Sequence, residues 1–81
     1  MISVSNAVNR RVKELLDGQN MSAYRLGKNA AIPNNTIKTL MRGANASVNL
    51  KTILQICRGL GIKTADFFSD PVFDGNDIDI D

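Results

Sequence analysis

Residues 22–43, SAYRLGKNAAIPNNTIKTLMRG, constrain this chain more than any other stretch. Ser22 is a good helix N-cap, because its hydroxyl can accept from a free N–H of the first turn. The helix it starts is expected to end at Asn29 or Ala30, with Leu26 and Ala30 facing inward. Gly27 and Ala31 are small, as two nearly touching helices require. Ile32 is the apolar residue of a tight turn. Pro33 cannot sit in a helix interior but fits a first turn, so it marks a second start. Ile37, Leu40 and Met41 form the inner stripe of that second helix, and Gly43 after Arg42 reads as its stop. Helices this short are marginal alone, so the remaining residues must form a scaffold.

They have the patterns to do so. Val8, Val12, Leu15 and Leu16 recur at helical spacing between about Ser5 and Asp17. Gly18, Gln19 and Asn20 end that helix, with Asn20 suited to a left-handed backbone. Residues 44–48 read as a loop. Asn49 can cap a fourth helix, whose inward face is expected to be Leu50, Ile53, Leu54, Cys57 and Leu60, with Gly61 as its end. Thr64 is expected to cap a short fifth helix, residues 65–69, with Phe67 and Phe68 closing the core. Five short helices around one core make an all-α domain. The domain is expected to span residues 1–69, and Asp70 with Pro71 then opens a flexible tail, residues 70–81.

Charge is divided at the same boundary. Residues 1–69 carry all ten Lys and Arg against Glu14, Asp17 and Asp66, a net of +7. Residues 70–81 carry five aspartates and no base. A basic body favours a polyanion through counterion release, although the same charge also keeps a small domain soluble. No apolar run approaches the roughly 20 residues of a membrane span. The N-terminus lacks the pattern of a signal peptide, and one cysteine excludes an internal disulfide, so a cytoplasmic location is expected.

In this order of helices and turns the chain resembles the phage-repressor/Cro-type helix-turn-helix family, also called XRE, across about residues 6–69. Leu26, Ala30, Ile32, Ile37 and Leu40 occupy the family's apolar places. Arg42 and Gly43 match the pair that often follows its recognition helix, and ILQICRGLGIKTADFF matches its closing pattern. The resemblance implies a compact five-helix lambda-repressor-like DNA-binding domain, with the helix-turn-helix formed by helices 2 and 3. It departs from the family at Ala23, where glutamine is frequent, at Ala31, where the turn usually has glycine, and at Gly27, where alanine is usual. Leu16 and Met41 stand where many relatives pair an arginine with a glutamate. Losing both partners for an apolar pair can be neutral or stabilising, so the two side chains are expected to touch.

A helix-turn-helix leads into the major groove with the N-terminal residues of its second helix. On this mapping Asn34, Asn35, Lys38 and Thr39 are the expected base contacts. Asparagine suits adenine, and lysine suits guanine. Ser22, Tyr24, Thr36, Arg42 and Asn45 are the expected phosphate contacts. Asn34 to Thr36 also start helices well, so capping is the competing role for them. The expected partners are a double-stranded operator and a second copy of the chain. The dimer surface is expected near helix 5, away from the DNA. The competing function is a protein-interaction module of the same fold, antitoxin-like or antirepressor-like.

The remaining chemistry is sparse. Cys57 has no histidine to activate it and reads as a small buried hydrophobe. DGNDIDID echoes calcium-loop spacing without the final glutamate. No enzyme activity, cofactor or small-molecule substrate is expected. The acidic tail has three possible roles: a solvated end, a competitor for the basic face, or a dimer contact through Val72, Phe73, Ile78 and Ile80.

Overall fold

The computed structural model describes residues 2–42, 49–75 and 78–79. Its body is five helices: α1 (Val4–Gln19), α2 (Ala23–Ala30), α3 (Asn34–Met41), α4 (Leu50–Leu60) and α5 (Thr64–Phe67). A 3₁₀ turn, Pro71–Phe73, follows α5. Near the termini, β1 (Ile2–Ser3) pairs in parallel with β2 (Ile78–Asp79). The body is all-α. The terminal pairing is too short to leave a two-residue period in the sequence.

Three helices close by one device. Asn20, Ala31 and Gly61 follow α1, α2 and α4 in left-handed conformation, with φ of 54°, 56° and 71°. The next N–H then reaches back: Met21 to the Leu16 carbonyl at 2.9 Å, Ile32 to Gly27 at 2.9 Å, and Ile62 to Cys57 at 3.0 Å. This is the Schellman closure, which satisfies carbonyls that the helix leaves orphaned. The residue after each left-handed position is apolar and packs on the core. Ala31 itself is exposed. Its expected place between touching helices is therefore corrected: it serves the turn through its backbone.

The helix starts are equally local. The side chains of Ser3, Ser22 and Asn49 accept from the N–H groups of Asn6, Arg25 and Thr52 at 3.1, 3.1 and 2.9 Å. Thr64 does not cap α5; the N-cap residue is Lys63, which makes no side-chain cap bond, and Thr64 is the first helical residue.

The core joins Val8, Val12 and Leu16 of α1 to Leu26, Ile32, Ile37 and Leu40, to Ile53, Ile56, Cys57 and Leu60 of α4, and to Phe67. Two expectations for α4 and α5 are corrected. Leu50 and Leu54 are 61% and 40% exposed, while Ile56 is fully buried. Residues 53, 56, 57 and 60 form the proper 3.6-residue stripe, and Leu50 and Leu54 lie to one side of it. Phe67 is fully buried, but Phe68 lies at the surface, edge-on to Phe67 and to Phe73 with ring centroids 5.1 Å apart in each case. Leu16 is buried, and Met41 packs half-buried against the same core, so neither stands free in solvent.

Arg11 locks the far side of the body. Its guanidinium donates to the carbonyls of Phe67 at 2.8 Å and Asp66 at 2.7 Å, and to the carboxylates of Glu14 and Asp70. Asp70 also accepts the Val72 N–H at 2.9 Å, which starts the 3₁₀ turn. Phe73 then packs on the core.

Candidate nucleic-acid interface

Three contacts position α3. Gly27 of α2 allows Ile37 close approach: a Cβ at 27 would stand 3.1 Å from Ile37 Cγ1. On the other side, the Asn9 side-chain amide of α1 donates to the Leu40 carbonyl near the end of α3. This buried bond answers a carbonyl that the last turn leaves orphaned. The third contact is apolar, with Ile37 and Leu40 both buried in the common core. The inner stripe thus fixes which side of α3 faces out.

That outward side carries the residues singled out in the sequence. Asn34, Asn35, Thr36, Lys38 and Arg42 are exposed, and Thr39 is half-buried. Asn35, Lys38, Thr39, Met41 and Arg42 line one open hollow. Capping, the competing role for Asn34 to Thr36, does not occupy them. The N-cap residue is Pro33, and α3 has no side-chain cap bond. Among the described residues, the side chains of Asn34, Asn35 and Thr36 make no hydrogen bond to the protein. Three polar side chains without internal partners are available to something outside. Thr39 differs, because its hydroxyl donates to the Asn35 carbonyl at 2.9 Å.

The expected phosphate residues divide. Ser22 is exposed at the start of α2, but its oxygen already accepts from Arg25; its hydroxyl hydrogen is what it can still offer a phosphate. Tyr24 is 60% exposed, with the Lys28 ammonium 5.1 Å from its ring centroid. Both line a second open hollow together with Asn20, Ser22 and Arg25. Asn45, the last expected phosphate contact, lies outside the described residues, as do Gly43 and the 44–48 loop.

Arg25 and Lys28 were missed as members of this surface. A signal existed: residues 18–65 contain seven Lys and Arg and no Asp or Glu. The average charge of the body dilutes that run. Both ion pairs among the described residues use Arg11, so Arg25, Lys28, Lys38 and Arg42 face solvent without an acidic partner there. Uncompensated exposed cations attract a polyanion and steer its approach.

Burial pushes the Cys57 thiol up, partly offset by a hydrogen bond from the Thr64 side chain. The Val72 N–H, and more weakly the Arg11 guanidinium, hold the Asp70 carboxyl below its usual value. Among the described residues no cluster of His, Cys, Asp and Glu could hold a metal, and no helix is long and apolar enough to cross a membrane.

Comparison with known proteins agrees with this geometry. A family model described as a Cro/C1-type HTH DNA-binding domain matches residues 11–71. The crystal structure of the prophage Lp1 protein 11 is similar, with a TM-score of 0.82 and 27% sequence identity, covering 93% of this chain and 99% of that one. No curated protein matches the chain.

Proposed function

The chain belongs to the Cro/C1-type helix-turn-helix DNA-binding family, and on that premise we propose that it is a sequence-specific regulator that represses transcription from the cytoplasm. In this reading α3 enters the major groove. Asn34, Asn35, Lys38 and Thr39 meet base edges, while Ser22, Tyr24, Thr36, Arg42 and Asn45 meet flanking phosphates. The observation that carries it is a pair of features of the helix-turn-helix: side chains at the start of α3 with no internal partner, and exposed cations on α2 and α3 with no acidic partner among the described residues. A capping role would spend the first, and a merely solvated face would mix acids among the second.

Arg25 and Lys28 join the phosphate contacts. One short helix buries too little surface for useful affinity, so two copies bind a pseudo-palindrome with half-sites about 10 bp apart or a multiple of that. The test is binding across a salt series. Asn34→Ala is expected to relax sequence preference at one position, by about 1–3 kcal/mol. Arg42→Ala is expected to weaken all sequences alike and to reduce the salt slope by about one. Equal effects from the two substitutions would overturn the role assignment. No binding to any duplex at low salt would favour a protein-interaction module.

A further inference from the structure

We propose that Thr39 reads the C5-methyl group of a pyrimidine, an inference that rests on α3 being the base-reading helix. The Thr39 hydroxyl donates its one hydrogen to the Asn35 carbonyl at 2.9 Å. It therefore cannot donate to N7, O6 or O4 of a base. What it presents outward is a methyl group and an oxygen lone pair.

Its surroundings favour the methyl. Thr39 lines the α3 hollow with Asn35, Lys38, Met41 and Arg42, so its methyl has the apolar Met41 side chain for a neighbour. Lys38 and Arg42 lie one helical turn apart and make a cationic rim without an acidic partner among the described residues. A threonine methyl beside the apolar Met41 side chain, flanked by two cations, fits an apolar group carried on a polyanion. In the major groove of the four standard bases, that group is the thymine C5-methyl. 5-Methylcytosine presents the same group from the same ring position, so the shared chemistry is the C5-methyl pyrimidine.

Duplexes selected from random DNA by the intact chain provide the test. Each thymine in the selected site is replaced in turn by uracil, which removes only the methyl. Cytosine at the responsive position is compared with and without 5-methylation. One position per half-site is expected to lose about three- to fivefold in affinity with uracil, the weight of one buried methyl. Thr39→Val, which keeps a methyl and loses the lone pair, should preserve that loss. Thr39→Ser, which does the reverse, should shrink it. Helical circular dichroism confirms that both variants fold. A gain on 5-methylation matching the loss with uracil marks either pyrimidine as readable, and a gain absent there restricts the contact to thymine. The proposal is overturned if no uracil matters, or if Thr39→Val removes the effect, while salt-dependent selective binding still stands. If no duplex is selected at all, the DNA-binding reading fails first and this inference with it.

Discussion

Gly59 of α4 faces Ala30 of α2 so closely that a Cβ at position 59 would lie 2.8 Å from the Ala30 Cβ and 3.1 Å from the Ala30 backbone nitrogen. It would also meet Leu26 Cδ1 at 2.9 Å. This contact sets the height of α2 on the scaffold, and α2 in turn carries α3.

Gly59→Ala is expected to destabilise the domain by about 1–3 kcal/mol. Besides Leu26 Cδ1, the crowding falls on the Cβ and backbone nitrogen of Ala30, which no rotamer change can move, and it outweighs the gain in helix propensity. Gly27→Ala is the internal control. There the nearest atom is Ile37 Cγ1 at 3.1 Å, a side-chain atom that has only a few tenths of an ångström to give, and the Ile32 carbonyl oxygen at 3.4 Å is in ordinary contact. Its net effect is expected to stay within about 1 kcal/mol, because alanine gains a similar amount as a helix former. Urea unfolding of both variants checks the contrast; equal losses would refute the ranking.

Ala31→Gly should stabilise. Ala31 holds φ 56° and ψ 40° with its side chain exposed. A left-handed backbone costs a Cβ-bearing residue about 1–2 kcal/mol. Glycine returns some of that through unfolded-state entropy, about 0.4–1 kcal/mol. The expected net gain of about 0.5–1 kcal/mol raises the melting temperature by a few degrees in a domain of this size. A lower melting temperature would show that the turn is not strained.

The Asp70 carboxyl should make stability depend on pH at the acid end. Its folded value is held below 3.8, chiefly by the Val72 N–H, then by Glu14 and the Arg11 guanidinium, against a smaller cost of burial. The folded state therefore binds a proton less readily than the unfolded chain. The contribution is fully present above about pH 4 and is lost as pH falls through the folded value. Asp70→Asn keeps the shape and removes the charge facing Arg11. Wild type is expected to exceed this variant in stability at pH 5–7, and the difference is expected to shrink as pH falls below 3.8 and through the folded value. A constant difference across that range would rule the mechanism out.

Cys57 should be inert in the folded protein. It is 2% exposed, and burial raises its thiol pKa, so at neutral pH it stays protonated and covered. Modification by a thiol reagent is expected to be much slower than in the denatured chain, and to accelerate only as α4 opens. Equal rates in folded and denatured protein would contradict the packing.

Much of the candidate interface was legible because it sits on one short stretch. The start of α2 at Ser22, the turn at Ile32 and Pro33, and the exposure of Asn34, Asn35 and Lys38 all follow from residues within a few positions of one another. The commitments inside the site were not legible. That Thr39 spends its hydroxyl on Asn35 while Asn34 to Thr36 spend nothing depends on which residue the turn places at the N-cap. Arg25 and Lys28 escaped notice because their meaning lies in the absence of acids around them.

The sequence by itself determined where α2, α3 and α4 begin and where α1, α2 and α4 close. Caps and Schellman closures are made between residues three to five apart, so Ser22, Asn20, Asn49 and Gly61 carry their instruction locally. Only the tertiary structure decided which stripe of α4 turns inward, that Gly59 must admit Ala30, that Asn9 holds Leu40, and that Arg11 ties α1 to Asp66, Phe67 and Asp70. Those partners stand roughly 30 to 60 positions apart in the chain. Periodicity shows that a face is apolar or charged, but the partner is chosen only when the faces meet in one close-packed core.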